Sequence, residues 1–156
     1  MSLDFRPMRA EEAGAVAAMV RRLAADTGHA TVPKLTGDGL RQAADLITVT
    51  VAEEAGEVLA ACLTLDTYST WRNQRGLYVV DLFVAGGARS RGLGAALLAH
   101  VARAALDRGL HFIKLEVDHA NAGALKFYTR LGFALKADDK LLVLEQAGLQ
   151  AFASAN

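Results

Sequence analysis

The chain has 156 residues, 17 Lys and Arg against 17 Asp and Glu, and 53% of its residues are apolar. That length predicts one domain, residues 1–156, which on folding hides roughly 68% of the surface its unfolded form exposes, a full core without metal or disulfide support. Zero net charge excludes attachment to nucleic acid or anionic lipid through bulk charge, and the lone Cys62 excludes an internal disulfide and a cysteine-based zinc site.

Residues 1–6 lack the basic-then-apolar order of a signal peptide, and no stretch approaches the roughly 20 apolar residues of a spanning helix, so the expectation is a cytoplasmic protein with no membrane partner. Leu3-Asp4-Phe5-Arg6 alternates as a short strand that stops at Pro7, and residues 11–25 carry Val16, Met19, Val20 and Leu23 at helical spacing. Residues 26–38 read as a loop and 39–46 as a second short helix. Residues 47–53 and 58–65 read as a hairpin around Ala55-Gly56-Glu57, and a connection over 67–76 leads to the nearly continuous apolar run of residues 77–84, predicted to be a buried central strand. Residues 93–106 form the strongest helix pattern, closed by Arg108-Gly109; then come a strand over 112–117, a short helix over 122–130, and a closing hairpin of 133–136 with 140–144. This order predicts an α/β domain with a mixed central sheet of about six to seven strands and helices on both faces.

The segment Ala85-Gly86-Gly87-Ala88-Arg89-Ser90-Arg91-Gly92-Leu93-Gly94-Ala95 joins the buried strand to the strongest helix. Small residues there let backbone N–H groups converge at a helix N-terminus, which suits a pyrophosphate, and Arg89 and Arg91 would add contacts; a flexible turn with solvated arginines is the plain alternative. A P-loop is excluded because Ala95-Ala96 follows Gly94, and a dinucleotide fingerprint is excluded because Leu97 stands where its third glycine belongs. Asp81 is the one charge in its strand, and burying an unpaired carboxylate is costly, so it is a candidate for chemistry, with a structural salt bridge as the competing account. The histidines His29, His100, His111 and His119 show no metal-ligand spacing, and no metal is expected. Cys62, inside an apolar strand, reads as a small buried residue.

Arg89-Ser90-Arg91-Gly92-Leu93-Gly94 resembles the R/Q-x-x-G-x-G/A loop of the GNAT (GCN5-related) N-acetyltransferase superfamily, and residues 121–133 are similar to its N-x-x-A-x-x-x-Y-x-x-x-G-F segment through Asn121, Ala124, Tyr128, Gly132 and Phe133. A narrower resemblance, to the diamine acetyltransferase branch that includes spermidine/spermine and thialysine enzymes, rests on Thr67-Tyr68-Ser69-Thr70-Trp71 and on residues 76–84; Asp81 matches that branch, while Val80 stands where it carries Glu.

The resemblance implies the acyl-CoA N-acyltransferase fold and direct transfer of an acetyl group from acetyl-CoA to a primary amine of a small molecule, diamine or amino-acid-like. It implies that the main chain of Leu82, Phe83 and Val84 pairs with the pantetheine arm and polarises the acetyl oxygen. The loop from Arg89 through Ser90, Arg91, Gly92, Leu93, Gly94 and Ala95 would hold the pyrophosphate, with Asn121 on the arm and Lys126 toward a phosphate. Tyr128 is implied as general acid, since a phenol with a pKa near 10 stays protonated at neutral pH, against the ordinary role of a tyrosine that anchors its helix. Asp81 would take the amine's proton or hold its charge, and Trp71, Tyr78 and Glu116 would line the acceptor pocket. A homodimer, with residues 147–153 contributing, also follows from the resemblance. A cofactor-binding module without efficient catalysis and a protein or peptide N-acetyltransferase are the alternative functions.

Overall fold

Each strand expected before residue 84 is present in the computed structural model, which describes residues 2–26, 28 and 31–155. β1 (Leu3–Pro7), β2 (Thr48–Glu54), β3 (Glu57–Ser69) and β4 (Gln74–Val84) pair antiparallel in sequence order. β5 (Ile113–Leu115) joins β4 in parallel, which makes a five-stranded mixed sheet among the described residues. The chain divides into two compact units: Met1–Asn121 contains the sheet with helices α1 (Ala13–Asp26), α2 (Gly37–Gln42) and α3 (Leu93–Asp107), and Ala122–Asn156 contains α4 (Ala122–Arg130) and α5 (Gln146–Ser154).

Period-2 alternation decides which side chains meet which helix. Val49 and Val51 of β2, Ala61 and Leu63 of β3 and Phe83 of β4 form one core face, covered by Ala13, Val16 and Val20 of α1 and Leu40 of α2. The glycine at 37 lets these two helices approach, since a Cβ there would lie 2.9 Å from the Gly14 Cα. Phe5, Ala52 and Ala60, register partners one step out of phase, face the other way. There α3 packs with Leu93, Leu97, Leu98 and Val101 buried, and its His100 ring stacks on Phe5 with centroids 5.3 Å apart. Helices therefore lie on both faces of the sheet.

Three sequence expectations are corrected. The sheet has five strands rather than six to seven, because the closing hairpin is absent: residues 133–144 carry no strand among the described residues. The turn at its centre exists, with the Asp139 N–H 3.4 Å from the Lys136 carbonyl, but its flanks have no ladder partner, and alternation specifies a face without specifying a partner. The strand expected over 112–117 is only Ile113–Leu115, because its pairing with β4 stops at Val79. The hairpin of β3 and β4 is longer than expected, so that residues 70–73 alone connect them. His29 lies outside the described residues.

Candidate active site

β4 has two different edges. Along β3 it is paired to its end, Ala61 with Phe83 and Ala60 with Val84, whereas along β5 it pairs only through Leu77, Tyr78 and Val79. From residue 80 to 84 the second edge has no strand partner among the described residues. The Ala85 N–H donates to the Leu59 carbonyl of β3 at 2.8 Å. Since amides along a strand point alternately to its two sides, the Phe83 N–H also faces β3, and those of Leu82 and Val84 face the open edge. Of the three residues expected to offer main-chain groups, two present their amides outward.

The register between β3 and β4 shifts at Leu63/Thr64, which pair with Asp81 and Val79, so Val80 is an inserted bulge residue. Its side chain packs against the core cluster, which explains the apolar residue at this position. Asp81 follows it, half-buried, its carboxyl pushed up to about 6 by burial. Burial first, and then the adjacent Glu116 carboxylate with Asp81 behind it, raises the Tyr78 phenol above its ordinary value. Cys62, in the register pair with Leu82, is fully buried; burial and then Asp81 push its thiol up to about 12, so it carries no nucleophile. Asp81, Tyr78 and Glu116 thus share one region. Trp71 does not join it: at the tip of the β3–β4 hairpin it is 99% exposed.

Below the end of β4 a single turn of 3-10 helix, Gly86–Ala88, leads into the loop. Ser90 and Gly92 both have left-handed backbone, with φ of 68° and 72°, a curl that turns successive N–H groups inward. α3 then begins at Leu93 with no side-chain cap and no acid in its first turn. Its first intrahelical bond comes from the Ala96 N–H to the Gly92 carbonyl, 3.1 Å, which leaves the first-turn donors of Leu93, Gly94 and Ala95 without helical acceptors. Arg89 and Arg91 flank them. This set of amides, one helix terminus and two guanidinium groups fits a pyrophosphate-bearing ligand, and the open β4 edge fits an extended amide-containing arm. Each arginine already holds a carboxylate that sequence reasoning did not find: Arg89 pairs with Asp26 at 3.0 Å and Arg91 with both Glu54 oxygens at 2.9 and 3.1 Å. They are 63 and 37 residues away along the chain, and no local signal marks them.

In the second unit, Tyr128 lies near the end of α4, edge-on to Phe127 and Phe133 with centroids at 5.0 and 5.4 Å. The Phe133 N–H donates to the Tyr128 carbonyl at 3.0 Å and the Gly132 N–H to the Thr129 carbonyl at 3.0 Å, with Gly132 at φ 99°. These two bonds and the ring contact are a Schellman cap. The spacing Tyr128, Gly132, Phe133 is therefore in part a helix-stop signal. Asn121 immediately precedes α4, and Lys126 is exposed on it. Among the described residues no group of three His, Cys, Asp or Glu could hold a metal ion, and no helix is long and apolar enough to cross a membrane.

The acetyltransferase (GNAT) family matches over residues 16–133. Streptothricin acetyltransferase of Streptomyces lavendulae is 43% identical over 76 residues, 49% of this chain and 39% of that protein, so the chain spans about two fifths of that relative. Thialysine N-epsilon-acetyltransferase of Sus scrofa is 27% identical over 84% of each chain. Among solved structures, an integron cassette protein from the mobile metagenome of V. cholerae shares the fold, with a TM-score of 0.80 over 98% of each chain at 20% identity.

Proposed function

This chain belongs to the acetyltransferase (GNAT) family, and from that premise we propose that residues 1–156 form one N-acetyltransferase domain that moves the acetyl group of acetyl-CoA to a primary amine of a small molecule by direct attack. The observation that carries the reading is the continuity of the open β4 edge with the uncapped start of α3. The named substrates of the relatives, streptothricin and thialysine, support an amine acceptor.

Acetyl-CoA supplies the activated thioester, and this family uses it as cosubstrate. In this reading the N–H groups of Leu82 and Val84 align the pantetheine arm, and one of them donates to the acetyl oxygen as it gains charge, a role that fixed backbone performs without reorganisation. Ser90, Gly92, Leu93, Gly94 and Ala95 offer amides to the pyrophosphate, while Arg89, Arg91 and Lys126 neutralise phosphate charge. Asn121 orients the arm. Asp81 becomes anionic above about pH 6, and its carboxylate holds the ammonium form of the acceptor or receives its proton through water. With Val80 packed in the core, Asp81 is the acid that β4 contributes. The Tyr128 hydroxyl gives its proton to the departing sulfur. Tyr78, Glu116 and Trp71 shape the acceptor side, the last from an exposed hairpin. A homodimer in a reducing, cytoplasmic setting completes the reading, supported by the exposed Leu149 and Phe152 of α5 and by the lone cysteine.

The test is release of free thiol from acetyl-CoA across a panel of diamines and amino-acid-like amines, with Tyr128→Phe as partner variant. Phenylalanine preserves the ring packing of the α4 cap and removes only the hydroxyl, so the expected result is amine-dependent turnover that falls about 10²-fold or more with CoA affinity unchanged. A parent protein that binds CoA and turns over no acceptor would instead be a binding module, the reading that Val80 in place of an acid favours.

A further inference from the structure

The two arginines of the candidate phosphate loop are not idle. The Arg91 guanidinium sits fork-to-fork on Glu54, Nη2 to Oε1 at 2.9 Å and Nη1 to Oε2 at 3.1 Å. Arg89 places Nη2 on Asp26 at 3.0 Å and its Nε on the Val84 carbonyl at 3.2 Å, an acceptor on the open edge of β4. The acids come from separate elements. Asp26 is the last residue of α1. Glu54 is the last of β2, held by a two-residue turn in which Ala55 and Gly56 both have positive φ, 54° and 83°. The loop side chains are thus electrically neutralised before any ligand arrives.

We propose that Asp26 and Glu54 are resident counter-anions of this loop: they hold Arg89 and Arg91 while no ligand is bound, yield them to the phosphates of the cofactor, and take them back as it departs. This inference rests on the proposed reading of the loop as the acetyl-CoA phosphate site. The exchange is chemically even, because a guanidinium presents the same pair of N–H donors to a carboxylate as to a phosphate. It is also easily made. Arg89, Asp26 and Arg91 are 40–49% exposed and Glu54 is 24% exposed, and ion pairs this open to solvent are held weakly enough for a polyanion to displace them. As Arg89 swings to a phosphate, the Val84 carbonyl is freed on the very edge where the arm is to pair. Asp26 and Glu54 act here as positioning residues, away from the reacting atoms, and they set the affinity for the cofactor and the rate at which product leaves.

Binding of CoA, measured by calorimetry and stopped-flow on the full chain at low and at high salt, tests this. Removing a competing charge in Glu54→Gln or Asp26→Asn is expected to tighten CoA by about two- to fivefold at low ionic strength, chiefly through slower release, and the gain fades as salt screens the site. Acetyl-pantetheine, which has no phosphate, shows no gain, and Glu54→Gln combined with Arg91→Gln loses it. CoA affinity that is unchanged or weakened in both single variants overturns the proposal and makes the acids braces that hold the arginines in their binding pose. A parent chain that fails to bind CoA at all would instead overturn the reading of the loop itself.

Discussion

Asp81 is set against its surroundings: its strand neighbours are apolar and burial raises its carboxyl from 3.8 to about 6. Between those values the folded chain keeps a proton that the unfolded chain has lost, so folding stability falls as pH rises from about 4 to 6 and stays lower above that. Asp81→Asn removes the penalty. At pH 7.5 the variant is expected to gain about 1–2 kcal/mol in denaturant titrations, after discount for partial solvent access, and nothing at pH 3.5, where both side chains are neutral. Its acetyl-transfer rate falls, and the rising limb near pH 6 disappears from the rate profile. An equal gain at both pH values would show that the cause is packing rather than charge. The sequence alone made Asp81 visible, because a single charge in an apolar run is conspicuous. Val80 was visible only as a departure from a branch pattern; the bulge that turns it into the core depends on register with β3, which the sequence of β4 does not contain. Asp26 and Glu54 were illegible for the same reason, since their partners are distant in the chain.

At the scale of elements, the β2–β3 hairpin turns through Ala55 and Gly56, both in left-handed backbone. That is the conformation of a type I′ turn, and alanine adopts it at a cost. Ala55→Gly relieves the strain while adding freedom to the unfolded chain, and the net expectation is a stabilisation of about 0.5–1 kcal/mol, read as a higher denaturation midpoint with unchanged slope. Loss of stability would mean that the turn is not of this type. The strands of this hairpin were legible because Ala-Gly sits between two β-branched or apolar runs. α3 was legible from Leu93, Leu97, Leu98 and Val101, which share one face and are all buried. The run Leu141 to Leu144 misled for an instructive reason. It has the residues of a strand, yet its side chains are 56–88% exposed, and backbone donors with no ladder do not make one.

For the molecule as a whole, equal numbers of acids and bases conceal a directed arrangement. Arg6 is gripped by Glu12 at 2.6 Å and by Glu53, which ties the end of β1 to β2; this partnership lowers the Glu12 carboxyl to about 2, so its contribution is full above about pH 4.5 and is lost as pH falls from there to about 2. Arg75 and Arg108 both reach Asp66, which fixes the end of α3 to the sheet. The Arg89 and Arg91 pairs sit at the opposite, N-terminal end of α3, where the proposed cofactor site lies. Backbone protection is equally uneven. The exposed, irregular residues 134–145 include Lys136 and Lys140, whereas the backbone of β2, β3 and β4 is locked in ladders. Brief trypsin digestion is expected to cut after Lys136 or Lys140 before the bond after Arg75 within β4, as mass spectrometry of the first fragments would reveal; early cleavage inside that strand would contradict the fold.

The unequal edges of β4 also dictate an order of assembly. Its antiparallel partnership with β3 closes through a four-residue connection, 70–73, and that of β3 with β2 through two, so this meander can form early and locally. The parallel joint to β5 spans only Leu77, Tyr78 and Val79 and must wait for the whole of α3 to cross over. The three-residue β4–β5 joint, beside the gap at residues 80–84, is therefore the last pairing of the sheet to close, and a ligand seated in that gap would act as its keystone, strengthening the fold where the chain's own pairing ends.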